Sequence, residues 1–592
     1  MSDPPPDRCA HQQGRWAPGQ KLCCVRTALP DTYRCAWHAD AEETELKTKQ
    51  RLHESRVDPK TQKQASGHVE HLDHCDLSEL DLADEFDFSW TSLENAQFDF
   101  ADLSGVTWAN AALSNTLFFQ TDCTGGDFAD ATLRDARLEN TDLVRANLSN
   151  TDCQGARFLA TDLTEATLRE ATFTDGELER TTATEAVAPE ANFRNATVFK
   201  SSFTDADLSN ADFSEGNVMA QFNGATLEGA TFAGARARST EFKQADLTRA
   251  DLSDVNLSRS YMNGATLKHA DLSGARLDYD DGRPTVLTQA DLTQATLEYT
   301  SLYRADLSEA ILSDVNLRGG FLTQADLSNA VLQETCLEGA SLTDADLSGA
   351  DLSGADCTRA DLIGADLRGA TLDSATFDYA ALSGAKLSTI PQSCSLREAD
   401  LTETDCRGVD LTDTDLFETT FDRATFADAD LSGAMLKWAS LIDTEFSDAD
   451  LQGVTADYAD LTESTVIRTN LREASLYYAT ATDATFDDAD LREASLLGCK
   501  AQGSSFADGS LQNAELGRAR LQDADFSGAD LRNARLAKCD ASGASFVGAD
   551  LRGAEFTQAV LTEADLTDTR IDAGALESAK TDGAVLDGIR YE

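Results

Sequence analysis

The sequence predicts an all-β solenoid, and three observations carry that prediction. Residues 345–372 read "ADLSGADLSGADCTRADLIGADLRGATL", a period of five that is neither helical nor that of a plain strand. Two residues before each Leu stands a small residue, with a polar one between, so apolar sites alternate as they do in a strand. After the Leu come pairs such as Ser-Gly, Thr-Gln or Arg-Gly, which favour a turn. A chain of short strands and turns cannot bury its apolar face alone. It must wind so that each coil covers the one before.

The Leu position is the centre of each unit. Centres run Leu72, Leu77, Leu82, then resume one residue late at Phe88 and continue every fifth residue to Val218. They resume one residue early at Phe222 and run to Leu387, then early again at Leu396 and run to Leu586. That is about 100 units with three slips of register. Pro189, Pro284 and Pro391 are the prolines of this region. Proline removes a ladder donor, so each predicts a bulged corner or a short protruding loop. Cys75, Cys394, Cys499 and Cys539 fall at the small inward site, and Cys123, Cys153, Cys357 and Cys406 at centres. Cys336 falls outside. Inward cysteines act as small hydrophobes, and no disulfide is expected among them.

Units of the form A-[D/N]-L-x-x over residues 72–590 resemble the pentapeptide-repeat family. The resemblance implies a right-handed quadrilateral β-helix, one pentapeptide per side and about 20 residues per coil, hence about 25 coils. Leu and the small residue would point inward, and Asp and the turn residues outward.

The chain divides into three parts: a module over 1–39, a linker over 40–67 and the β-helix over 68–592. In the module, Cys9, Cys23 or Cys24, Cys35 and His38 offer a Cys₃His set for structural zinc; Cys24 is preferred over Cys23. The Cys-x₂-His tail is its most informative part, because both side chains can reach one ion across a turn. The leader is similar to the Cys/His leaders of pentapeptide-repeat proteins from salt-loving archaea. Residues 40–57 are rich in helix formers, with Asp40 as N-cap, and predict a short charged helix. His68, His71 and His74 could form a second metal cluster, but a polar first coil is the preferred reading.

The charge is uneven. Residues 1–70 carry 11 basic and 10 acidic residues, and the remainder 38 and 94, a net −56. Such acidity suits a soluble cytoplasmic protein of a salt-loving microbe. No apolar run reaches the ~20 residues of a membrane span, and "MSDPPPDRCAHQQG" lacks the apolar core of a signal peptide. Enzyme motifs are absent: there is no Walker loop, G-x-G-x-x-G or G-x-S-x-G. The outward acids repeat too often to single out a catalytic pair. The expectation is a non-enzymatic interaction scaffold that binds a protein and makes no direct contact with DNA.

Two features bear on the partner. At ~4.8 Å per coil the solenoid would hold about one net charge per ~2 Å, near that of duplex DNA. Some members of the family mimic DNA and bind type II topoisomerases such as gyrase, so a DNA-mimicking regulator or protector is the alternative reading. Molar salt cuts the Debye length to ~3 Å, which weakens that argument. The second feature is a column of outward aromatics two residues after a centre: Tyr279, Tyr299, Tyr379, Trp438, Tyr458 and Tyr478. Stepping by one coil aligns them on one face, provided residues 388–395 still turn two sides. They would serve either as a stacked ladder or as a partner-binding face.

Overall fold

The computed structural model describes residues 72–592, apart from 74, 75, 84, 85, 279–281, 389 and 392. The expected module, the linker helix, Cys75 and His68, His71 and His74 therefore lie outside the described residues. The described chain is a parallel β-solenoid of about 24 turns with no helix. It falls into two compact units, one ending at Ser301 and the other running from Leu302 to Glu592.

The register shows four sides per coil in each unit. In unit 1, Asp102↔Asp122, Thr107↔Asp127, Ala112↔Thr132 and Leu117↔Arg137 pair positions twenty apart, and successive pairs are five apart. In unit 2, Asp326↔Asp346, Val331↔Asp351, Cys336↔Asp356 and Ser341↔Asp361 repeat the pattern. Most sides are single bridges. One side of unit 1 lengthens into a parallel six-stranded sheet: β1 (Leu117–Phe119), β2 (Arg137–Glu139), β3 (Arg157–Leu159), β4 (Glu177–Glu179), β5 (Thr197–Ser202) and β6 (Asn217–Gln221). Unit 2 holds the pair β7 (Asp366–Leu367) and β8 (Lys386–Leu387). It also holds β9 (Asp550–Leu551), β10 (Arg570–Ile571) and β11 (Arg590–Tyr591), likewise parallel.

Each position of the repeat has its physical reason. Ala350 and Leu352 are fully buried. Asp351, between them, points out and accepts the Ser353 N–H at 3.0 Å and its hydroxyl at 2.6 Å. This side-chain cap starts the turn, which explains why Ser or Thr so often follows the Leu. The Ala355 N–H closes the turn on the Leu352 carbonyl at 2.9 Å, across Gly354 at φ +69°. A type II turn needs positive φ at that place. Where Thr replaces the small Ala, its hydroxyl is satisfied inside the bore: Thr141 donates to the Phe118 carbonyl at 2.6 Å and Thr300 to that of Leu272 at 2.7 Å.

Identical inward sites recur at the strand spacing, which is also an aromatic stacking distance. Phe173, Phe193, Phe213 and Phe232 stack with centroids 4.8, 4.7 and 4.8 Å apart. In unit 2, Phe486, Phe506 and Phe526 do so at 4.8 Å. Cover from the next coil is what buries a centre: Leu586, in the last described coil, is 43 % exposed.

The three slips are coils of altered length. Asp81↔Asp102 spans one residue more than the usual twenty, while Asp207↔Thr226 and Thr376↔Ser395 each span one fewer. The second has no proline; a register shift between Phe199 and Ser201 against Met219 and Ala220 takes up the missing residue. A fourth irregularity leaves no slip. Tyr261↔Val286 and Arg276↔Ser301 each span one whole pentapeptide more than usual, so the loop around Pro284 inserts a full repeat and keeps the phase of the centres. The reading of the prolines needs correction accordingly. Pro284 does lie in a loop. Pro189 sits in an ordinary turn directly after the centre Ala188 and before the positive-φ Glu190, where the fixed φ of proline fits and no N–H is required. Pro391 lies in a coil shortened by one residue, where a bulged corner or a short protruding loop was expected.

Candidate interaction face

The second turn residue of each unit stands at a corner in the left-handed region of φ, and most such residues are not glycine. A bulky side chain rarely adopts that conformation, yet Tyr379 (+61°), Trp438 (+65°), Tyr458 (+61°) and Tyr478 (+55°) all do. The coil over-determines their backbone, because the N–H of each is bound to a carbonyl of the next coil. Tyr379 donates to Arg397, Trp438 to Asp457, Tyr458 to Tyr477 and Tyr478 to Leu497. Glu398 donates to Phe417 and Glu418 to Lys437, so the shortened coil keeps the corner aligned. Within unit 2 the corner therefore reads Arg359, Tyr379, Glu398, Glu418, Trp438, Tyr458, Tyr478 and Gly498, one coil at a time.

The rings stack as the spacing predicts. Trp438 and Tyr458 lie 4.4 Å apart at 8°, and Tyr458 and Tyr478 lie 6.0 Å apart at 11°. All three are exposed, Trp438 by 51 %. Gly498 ends the stack, since a Cβ there would come within 2.9 Å of the Tyr478 ring. Lower in the same corner the Arg359 guanidinium lies 4.9 Å over the Tyr379 ring. A hydrogen bond to Glu398 raises the Tyr379 phenol above its ordinary pKa.

Two residues of this face went unrecognised in the sequence. Tyr477, the first turn residue, packs edge-on against Tyr458 at 5.7 Å and Tyr478 at 4.6 Å. Leu497 stands one coil on from Tyr477 and would meet a Cβ at Gly517 within 3.1 Å. The dipeptides Tyr477-Tyr478 and Leu496-Leu497 were the available signal. Acids border the stack: Asp443, Glu463 and Asp483 hold the following corner of the same coils.

Of the six residues of the expected column, Tyr379, Trp438, Tyr458 and Tyr478 share this corner of unit 2. Tyr279 lies outside the described residues. Tyr299, 60 % exposed, belongs to unit 1, and the lengthened coil sets it over Gly274, whose N–H donates to Glu298. The step of one coil from Tyr279 to Tyr299 fails because the Pro284 loop adds a whole pentapeptide to that coil.

The zinc ligands Cys9, Cys24, Cys35 and His38 also lie outside the described residues. Among the described residues no group of three or more His, Cys, Asp or Glu could hold a metal. Eight described cysteines are unpaired, seven of them buried and Cys336 half-buried, as the repeat register predicts. Burial pushes the thiols of Cys406 and Cys499 up to about 12. No helix among the described residues is long and apolar enough to cross a membrane.

The family described as pentapeptide repeats (8 copies) matches in overlapping segments that cover residues 96–215, 220–278, 285–349, 350–388, 394–466 and 469–568. The chain belongs to the pentapeptide-repeat family. Among curated proteins, none matches this pentapeptide-repeat chain in sequence. It is similar to HetL, a pentapeptide-repeat protein involved in heterocyst differentiation regulation from the cyanobacterium Nostoc. That match has 23 % identity over 44 % of this chain and 89 % of HetL, with a TM-score of 0.19. It is also similar to QnrB1, a plasmid-mediated fluoroquinolone resistance protein, at 21 % identity over 35 % of this chain and 91 % of that one, TM-score 0.23. Rfr23 from the cyanobacterium Cyanothece matches at 28 % over 23 % of this chain and 90 % of its own, TM-score 0.13. The family assignment rests on the repeats, not on these structural scores.

Proposed function

We propose that this pentapeptide-repeat protein is a non-enzymatic, cytoplasmic interaction scaffold that docks a protein partner on the aromatic face of unit 2. The observation that carries the reading is the exposed stack of Trp438, Tyr458 and Tyr478, extended by Tyr477, on an otherwise acidic surface. Aromatic residues are enriched in interface cores, and this backbone holds them rigid before any partner arrives. Tyr379 extends the face, and Tyr299 is a separate exposed aromatic in unit 1. The free, buried thiols accord with a reducing compartment.

The test is capture from native lysate in high salt, with the triple variant Trp438→Ser, Tyr458→Ser, Tyr478→Ser beside the unaltered chain. The variant should lose the captured partner while its thermal stability changes little. Collapse of stability, with unchanged binding per folded molecule, would make the stack a structural ladder instead.

A second reading, a DNA-mimicking regulator or protector of a type II topoisomerase such as gyrase, draws on stacked carboxylates. Asp102, Asp122, Asp142 and Asp162 pair coil upon coil in unit 1. Inhibition of purified gyrase that duplex DNA relieves by competition would favour this reading over the scaffold.

The N-terminal Cys9, Cys24, Cys35 and His38 are proposed to hold one structural zinc, because the set matches the ion's preference for four soft or borderline ligands. Elemental analysis of the full chain should find one zinc per molecule, lost in the double variant Cys35→Ser, His38→Ala. Absence of stoichiometric zinc in the unaltered chain would reject the site.

A further inference from the structure

Resting on the reading of this face as a docking surface, we infer that its occupant is an extended, arginine- or lysine-rich segment of a partner protein. A cationic side chain of that segment would seat between Glu418 and the free face of Trp438.

The argument starts from how side chains lean at these corners. A Cβ at Gly349 or Gly364 would meet the Oδ1 of Asn329 or Asp344, from the preceding coil, at 2.6 Å. The Tyr478 ring covers Gly498 in the same sense. Corner side chains therefore reach toward the next coil. Arg359 does so within the chain, and its guanidinium lies over the ring of Tyr379. A cation over an aromatic face is the favourable arrangement, because the ring face is negative.

At Trp438 the same place is held differently. One indole face stacks on Tyr458, so the other looks back to the coil of Glu418. Where Arg359 stands before Tyr379, a carboxylate stands before Trp438. A carboxylate beside a negative ring face is unfavourable alone, and a cation between them satisfies both. Glu418 forms no ion pair among the described residues. Of the adjacent cations, Arg397 is paired with Asp415 and lies over Phe417. Lys437 is half-buried beside Trp438, and its backbone carbonyl is held by Glu418. Glu398 one coil earlier, and Asp443, Glu463 and Asp483 at the next corner, would hold further cations of the same segment. An acidic or purely apolar segment would leave these carboxylates opposed or stranded.

Binding of fluorescein-labelled octa-arginine to the full chain, read by anisotropy in about 1 M KCl, tests the inference. At that ionic strength the Debye length is ~3 Å, so bulk attraction is suppressed. Trp438→Ser and Glu418→Gln should each weaken binding by about three- to thirty-fold, and Trp438→Phe should keep most of it. Asp314→Asn, which removes one exposed corner charge elsewhere in unit 2, should change it by less than about two-fold. Equal loss in Asp314→Asn, or no loss in Trp438→Ser, overturns the cationic occupant. A labelled octapeptide of alternating Leu and Ser separates this failure from that of the face itself. Trp438-dependent binding of that peptide, without such binding of octa-arginine, keeps the docking face and rejects the cation. Trp438-independence of both rejects the two together.

Discussion

Between Phe173 and Phe242 of unit 1 the centres hold seven phenylalanines; between Leu302 and Leu372 of unit 2 every centre but Cys357 is leucine. The coils around them are the same, with pairings twenty apart and capped turns in both stretches outside the irregular coils. What specifies the coil is therefore the small inward residue, the outward Asp and the positive-φ corner. The centre only has to be apolar and to stack at the coil spacing. The outsides differ as well. In unit 2 five Asp-x-Arg units fold the guanidinium back onto its own turn: Asp366–Arg368, Asp405–Arg407, Asp490–Arg492, Asp530–Arg532 and Asp550–Arg552. In unit 1 most pairs run between coils, as Arg145–Glu165 does at 2.8 Å, although Lys243–Glu241 and Arg276–Asp278 close within one turn; unit 2 adds inter-coil pairs such as Arg468–Asp448 to its clipped turns. Surface pairs of either kind contribute little alone.

The largest effect should come from the stacked interior. Phe213 lies face to face with Phe193 and Phe232 and edge-on to Phe203 and Phe222. Phe213→Ala should cost about 3–5 kcal/mol. Phe213→Leu should cost far less, because leucine fills the equivalent sites of unit 2. A long solenoid need not unfold in one step, so native-state hydrogen exchange around residues 193–232 is the suitable readout. Equal losses for both variants would mean that the Phe region is more than a refilled Leu region.

Next is the narrow bore. Ala350→Leu should cost ~1–3 kcal/mol by overpacking. Ser353→Leu, at the turn two residues from Asp351, should cost much less: it loses one hydroxyl bond and keeps the N–H cap. Similar losses at the two sites would contradict the inward and outward assignment.

Most of this architecture was legible because the repeat states the direction of each side chain. The slips at Phe88, Phe222 and Leu396 became one coil longer by a residue and two coils shorter by a residue. The coil around Pro284 stayed hidden because an insertion of a whole pentapeptide leaves Leu277 and Leu287 in phase, and that hidden insertion breaks the expected one-coil step from Tyr279 to Tyr299. Pro189 misled because a missing N–H matters in a ladder and not at the first turn residue, directly after a centre. Tyr477 was not legible because it stands at the first turn residue, beside the column that the positive-φ corners define. The stack of Trp438, Tyr458 and Tyr478 was legible, since it depends on nothing but the step of one regular coil.

The smallest effect separates Asp142 of unit 1 from the clipped turns of unit 2 by pH. In unit 1, burial and then the neighbouring Asp162 and Asp122 raise the Asp142 carboxyl above its ordinary pKa. In unit 2, the hydrogen bond from Arg368 lowers Asp366, and that from Arg552 lowers Asp550. The signs follow from proton linkage. A folded carboxyl with a raised pKa weakens the fold at neutral pH and ceases to do so as pH falls through that value toward the unfolded ~3.9. A lowered one contributes above ~3.9, and its contribution is lost only as pH falls through the folded value. Asp142→Asn should therefore stabilise unit 1 at pH 7, by no more than about 1 kcal/mol, and the gain should vanish by about pH 4. Asp550→Asn keeps an oxygen to accept the Arg552 N–H but removes the charge, so it should destabilise unit 2 at pH 7 by a similar amount. Its loss should persist at pH 4 and fade only in stronger acid. Exchange protection of the Asp142 and Asp550 coils, each compared with the unaltered chain at the same pH, measures both. If the two substitutions move stability in the same direction at pH 7, the contrast between the inter-coil acids of unit 1 and the clipped turns of unit 2 is wrong.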